Sequence, residues 1–247
     1  MKRFVIVVIS LILFTTTLWA DIETTLYKTA LDLATKPNNL FIEINNDIEN
    51  TVPNFLSRRF QIHTSILWNL FTVGNGQLRY RINDESGFPE VTPGISGWYL
   101  WGLTFLPEED FSAKVYGLSP FVTFGKSLER NVKFFIGSKY TYGKIDLNWK
   151  STQDQDTSAV GMADDFGFDL SSLAGISSVY QDVGFYTGIT YQRDSGREVS
   201  ALIGYYPSWK KIYSKIQVSG SLFDYGMSLY PDSYMLLHLY LNLHINI

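Results

Sequence analysis

The chain has 247 residues, 45% of them hydrophobic and 18% charged, with 16 Tyr, 17 Phe and 6 Trp. It has no cysteine, and 20 basic residues against 24 acidic ones give a formal net charge of −4. These values exclude intrinsic disorder, a disulfide scaffold and any site built on thiols, and they leave no basic excess to follow a phosphate backbone, so nucleic acid is not expected as a partner.

Residues 1–20 read as an export signal. Lys2 and Arg3 form its basic region, Phe4 to Phe14 an apolar run broken only by Ser10, and Thr15 to Ala20 lead to a cut before Asp21. No cysteine follows that could carry a lipid, which excludes a lipoprotein. Residues 21–57 are expected to form an N-terminal periplasmic or plug segment. Within it Ile22, Leu26, Ala30 and Leu33 have helical spacing, and Lys36-Pro37-Asn38-Asn39 should stop that helix. The next piece, Leu40 to Ile48, fits either a short strand or a helix.

From residue 58 the period changes to two. Phe60, Ile62, Thr64, Ile66 and Trp68 alternate with Gln61, His63, Ser65 and Asn69, and Gly74-Asn75-Gly76 is the expected turn. Leu78, Tyr80 and Ile82 then alternate with Gln77, Arg79 and Arg81, and Val132, Phe134 and Ile136 with Lys133 and Gly137. The last segment is the clearest. Leu237, Leu239, Leu241, Leu243, Ile245 and Ile247 share one face, with His238, Tyr240, Asn242, His244 and Asn246 on the other. This pattern predicts about ten strands, with twelve as the alternative: 58–72, 76–84, 97–106, 114–125, 131–149, 165–178, 183–193, 197–207, 211–224 and 233–247. A soluble sandwich rarely places Lys, Arg or His on the same face strand after strand.

Export, absence of cysteine, aromatic-flanked alternating strands and an unbroken last strand together resemble a Gram-negative outer-membrane β-barrel over residues 58–247. The resemblance implies an all-β fold, a transmembrane antiparallel β-barrel of about ten strands with a short N-terminal helical segment, in the cell outer membrane. It also implies outer-membrane lipids, periplasmic chaperones and the barrel assembly machinery as partners. Members of that class usually end in an aromatic residue, and this chain ends His244-Ile245-Asn246-Ile247. The resemblance assigns Leu237, Leu239, Leu241, Leu243, Ile245 and Ile247 to the lipid side, so that Asn242→Ser should be mild. It assigns Arg79, Arg81, Lys133, Lys139, Lys215, His238 and His244 to the lumen. Aromatic girdles are expected from Trp98-Tyr99, Tyr205-Tyr206 and Trp209.

His63 and Ser65 lie two apart on one strand and share a face, which resembles the His-x-Ser pairing of outer-membrane phospholipase A and of lipid A deacylases. Folding about Gly74-Asn75-Gly76 would set Asp84 or Glu85 opposite Ser65 as the orienting carboxylate. The segment Tyr206-Pro207, Tyr213, Val218-Ser219-Gly220-Ser221-Leu222 and Asp224-Tyr225 is a second, faint resemblance to the phospholipase. Asp154, Asp156, Asp164, Asp165 and Asp169 lack the spacing of a calcium loop and read as a solvated connection. No cofactor and no metal are expected. Three functions follow: a non-enzymatic barrel acting as a narrow anion-leaning channel, ligand-binding or structural envelope protein; a lipid acyl hydrolase using His63 and Ser65; or a secreted soluble barrel binding an apolar ligand. In the first, the lumen cations either select anions or pair with acids of the N-terminal segment, Asp21 to Glu49, folded inward.

Overall fold

In a computed structural model, which describes residues 37–53, 59–70, 73–83, 88–100, 111–149, 176–231 and 237–246, the chain forms a closed antiparallel barrel of ten strands. The strands are β1 (Phe60–Ser65), β2 (Val73–Tyr80), β3 (Glu90–Leu100), β4 (Phe111–Glu129), β5 (Val132–Trp149), β6 (Ile176–Gln192), β7 (Glu198–Tyr206), β8 (Lys211–Ser219), β9 (Phe223–Leu229) and β10 (Leu237–Asn246). Each pairs with its neighbours in sequence, and β1 closes the ring on β10 with His63 opposite His244. Closure leaves no strand edge unpaired, which a bilayer requires of any sheet that spans it.

The number of strands matches the pattern reading, but two departures cancel within it. Of the expected strand 165–178 only 176–178 are described, and they run on with 183–192 across Gln181 and Asp182 in the single β6; the expected strand 211–224 is two strands, β8 and β9. Asp182 looks like a turn residue, yet its side chain accepts from the Val183 and Trp209 backbone N–H groups, so the strand runs through it. Between β8 and β9, Gly220 N–H donates to the Phe223 carbonyl and the chain reverses. The first hairpin also differs. The strand stops at Ser65, a short helix α2 (Ile66–Leu70) makes the connection, and Gly74-Asn75-Gly76 lies inside β2 instead of forming the turn. Likewise β3 starts at Glu90, not Gly97, because Pro93 and Gly94 are strand residues facing Val122 and Phe121 of β4. Pro120 lies inside β4, where the β4–β5 ladder is interrupted.

Of the connections at the end where β1 begins and β10 finishes, 130–131, 193–197 and 220–222 are short and 81–89, between β2 and β3, is longer. The opposite end carries 101–110 and 150–175, the longest connection. Outer-membrane barrels have this asymmetry, with short periplasmic turns and longer extracellular loops. The expected signal (1–20), the helical stretch 22–33, the acidic residues Glu108 to Asp110 and Asp154 to Asp169, and Ile247 lie outside the described residues.

The period of two determines what each face meets. Leu78, Ile95, Phe124, Ile136, Phe185, Ile203, Ile216 and Leu239 are exposed on the outer face, around the whole circumference. Such a continuous apolar belt suits hydrocarbon and not water, which places the barrel in a membrane and is opposed to a secreted soluble form. Of the terminal strand's apolar series, Leu237, Leu239 and Ile245 are exposed and Leu241 and Leu243 are half-buried, all on the outer face. Leu239→Lys should therefore cost about 2–4 kcal/mol if the residue lies near the bilayer midplane. Urea unfolding of the barrel in lipid vesicles measures it, and an unchanged midpoint would remove residue 239 from the lipid face.

One expectation about aromatics is corrected by the same alternation. Adjacent strand residues face opposite ways, so Tyr99 and Tyr205 are exposed on the outside while Trp98 and Tyr206 are buried within. Trp209 is half-buried and stacks on Tyr206, with ring centroids 5.3 Å apart. These three rings belong to the lumen and not to a girdle.

Candidate functional site

The lumen contains a helix. α1 (Pro37–Ile48) begins where a stop was expected, since proline is well suited to the first turn of a helix, its fixed φ being helical and its missing N–H having no partner there to lose. Phe41, Ile44 and Ile48 form an apolar stripe at helical spacing, yet the polar side is covered as well: Asn45, Asn46 and Asp47 are buried with them. Phe41 lies between Trp98 and Tyr180 at centroid distances of 5.5 and 5.2 Å, over Gly143, where no larger residue leaves room for the ring.

Residues 45–52 then bond to strands around the ring. Trp98 of β3 donates to Asn45 Oδ1 at 3.0 Å, and Thr123 of β4 to the Thr51 carbonyl at 2.8 Å. On β10, Asn242 donates to the Asp47 carbonyl at 3.0 Å. Gln77 of β2 exchanges two hydrogen bonds with the Asn50 backbone, at 2.6 and 2.9 Å. Asn242 is thus buried and bonded, and the mild effect expected of Asn242→Ser becomes a loss of about 1–3 kcal/mol, the penalty for leaving a buried carbonyl unpaired.

The basic residues expected in the lumen lie there with partners. Lys139 ion-pairs with Glu49 at 2.7 Å, bonds Asn46, and sits over the Tyr206 and Tyr213 rings at 5.5 and 5.1 Å. Lys215 donates to the Asn46 and Glu49 carbonyls, both at 2.8 Å, and lies 4.1 Å from the Tyr240 ring centroid. Arg79 bonds Gln61 and donates to the Asn50 and Val52 carbonyls at 2.9 and 2.5 Å. Lys133 pairs with Glu90 at 2.7 Å. His238 donates to Asp47 at 2.9 Å, and Tyr230 donates to the same carboxylate at 2.8 Å. Arg81 follows β2 at the short-turn end, where it is half-buried and its N–H donates to the Arg59 carbonyl.

His63 and His244 belong to a cluster that pattern reading missed. Asp224 of β9 holds its Oδ2 3.1 Å from His244 Nδ1 and 3.5 Å from His63 Nδ1, and the three side chains are buried. Asn50 Nδ2 donates to the same oxygen at 2.8 Å. The cluster spans three strands across the seam, so the only signal within the sequence was that both histidines fall on inward positions of the first and last strands.

The hydrolase geometry is not assembled. His63 lies opposite Gln77, and the Ser65 N–H donates to Asn75 Oδ1, so the register sets Asn75 beside Ser65; Asp84 and Glu85, expected there, lie outside the described residues. Ser65 Oγ is buried and has no hydrogen bond among the described residues, His63 included. An imidazole that acts as base for a serine needs that bond or a close approach to it.

The architecture is that of an outer-membrane β-barrel, and the cell outer membrane is where its apolar belt is satisfied. No protein-family model matches the chain, and no curated protein matches it. Two solved structures are similar to it. Ail, the attachment invasion locus protein of Yersinia pestis, is 12% identical over 75% of this chain and 95% of its own, with a TM-score of 0.32. Neisserial surface protein A, NspA, is 13% identical over 77% of this chain and 99% of its own, with a TM-score of 0.30.

Proposed function

We propose that this protein is a non-enzymatic outer-membrane barrel whose lumen is closed by its own N-terminal segment, and that it serves as a structural or ligand-binding envelope protein in which that segment is fixed. The observation that carries this reading is the bonding of residues 45–52 to β2, β3, β4, β5, β8, β9 and β10. A barrel of this strand number is little wider than one filled by side chains, and a helix packed inside it removes the remaining aqueous path. The lumen cations favour the pairing alternative over the anion filter, because the ligands of Lys139 and Lys215 are a carboxylate and carbonyls of the segment itself.

Reconstituted in a planar bilayer, the full chain should give no sustained conductance. A variant with residues 37–52 deleted should conduct and prefer anions, since the deletion removes Asn46 and Glu49, the partners of Lys139 and Lys215 in the segment. Steady channels from the unaltered chain would overturn the reading. So would release of fatty acid from phospholipid vesicles that Ser65→Ala abolishes.

A further inference from the structure

We infer that His63, Asp224 and His244 form a binding site for one first-row divalent metal ion, of which zinc is the representative, reached from the short-turn end of the barrel. The inference starts from a conflict between acceptors. Gln61 Oε1 accepts from Arg79 Nε, which fixes the amide with its oxygen toward Arg79 and His63. His63 Nε2 lies 3.4 Å from that same oxygen, which can only accept, so the contact is a hydrogen bond in the Nε2–H tautomer alone. A neutral imidazole that spends its one N–H there turns a bare lone pair from Nδ1 toward the Asp224 carboxylate, 3.5 Å away. Two acceptors then face each other in a buried place. Consistently, His63 Nδ1 and Asp224 Oδ1 have no hydrogen-bond partner among the described residues. Such a gap is filled by something positive.

The geometry suits a metal. The donor atoms of the three side chains all lie within 4.8 Å of one another. Two ligands each about 2.0–2.1 Å from a tetrahedral zinc stand about 3.3 Å apart, and the carboxylate-to-imidazole separations of 3.1 and 3.5 Å bracket that value. Two imidazoles and one carboxylate favour zinc, copper or nickel over calcium or magnesium, which take oxygen ligands. The Arg79 guanidinium beyond Gln61 opposes any site that relies on charge alone, so nitrogen donors decide the selectivity. A supporting shell is in place: Gln61 orients His63, and Asn50 of the plug orients Asp224. On binding, neutral His244 moves its proton from Nδ1, where it now donates to Asp224, to Nε2 by exchange with solvent, and the metal takes the freed Nδ1 lone pair with no net proton released.

Access is through a pocket of about 540 Å³ lined by Gln61, Arg197, Glu198, Ser219 and Leu222 and reaching His244. Three protein ligands leave a fourth position for water or for an incoming metal-bound ligand. Because the ligands come from β1, β9 and β10, a bound ion would also tie the seam at which the barrel closes.

The chain has three histidines in all, so an untagged preparation makes the test clean. Calorimetric titration of the detergent-folded full chain with zinc chloride should show one ion per barrel. His63→Asn and His244→Asn should each weaken binding by at least about 100-fold, more than the loss of a supporting partner. His238→Asn, which alters the other buried histidine, should leave it unchanged. Should a histidine variant fail to fold, copper(II) bound to the unaltered chain still reports the ligands, because its electron paramagnetic resonance spectrum should show coupling to two imidazole nitrogens. No zinc binding by the unaltered chain, binding that survives both substitutions, or a copper spectrum with fewer than two nitrogens would overturn the proposal and leave a proton as the occupant of the gap.

Discussion

Glu49→Ala should destabilise the folded barrel by about 3–5 kcal/mol, as expected when one member of a buried ion pair is removed and the other is left without compensation. Glu49 is buried, and its two carboxylate oxygens accept from Lys139 and from Ser96, each at 2.7 Å. Its removal strands the Lys139 ammonium among Tyr206, Tyr213 and Asn46, none of which carries a negative charge. The sign of the second step is more diagnostic than the size of the first. Replacing both partners with apolar residues of similar volume, Glu49→Leu with Lys139→Met, should cost less than Glu49→Ala alone, because no charge then remains in the lumen. Urea unfolding of the barrel in vesicles measures both. A double variant less stable than Glu49→Ala would mean that the pair contributes net stability to plug docking instead of fixing its position.

Phe41→Ala should cost a similar amount, about 3–5 kcal/mol, for the lost burial and the cavity left between Trp98, Tyr180 and Gly143. Gly143 supplies an independent check. A Cβ built there would fall within the Phe41 ring, so Gly143→Ala alone should cost about 1–3 kcal/mol by overpacking. In the Phe41→Ala background the same methyl group enters vacated space, and its cost should vanish or reverse. Additive costs in that cycle would show that the ring does not sit against Gly143.

The parts of this fold that were legible in the sequence are those with local causes. Leu237 to Ile245 alternates without interruption because hydrocarbon lies on one side and a polar lumen on the other, and each residue records its own face. Where a strand crosses a residue with turn chemistry, the local signal misleads: Asp182 is held in β6 by a backbone N–H from the β7–β8 connection, which no window around it contains. The plug escaped for a related reason. Glu43, Asn45, Asn46 and Asp47 read as solvated residues, and they are buried because their partners come from far along the chain: His238, Trp98 and Lys139 from three different strands and Tyr230 from just past β9. The histidine cluster was invisible in the same way, since His63 and His244 meet only through a closure that links the two ends of the barrel sequence.

That closure has a consequence for how the molecule forms. Pairing β1 with β10 brings together positions nearly the whole barrel apart in the chain, the most expensive loop it has to close. The segment around Asn45 to Val52 bonds to strands early and late in the sequence, β2 and β3 as well as β8, β9 and β10, and in the finished ring those donors point inward. Residues 45–52 are thus placed as a mandrel would be, and the expected order of assembly runs from plug to wall, with the β1–β10 seam closed last.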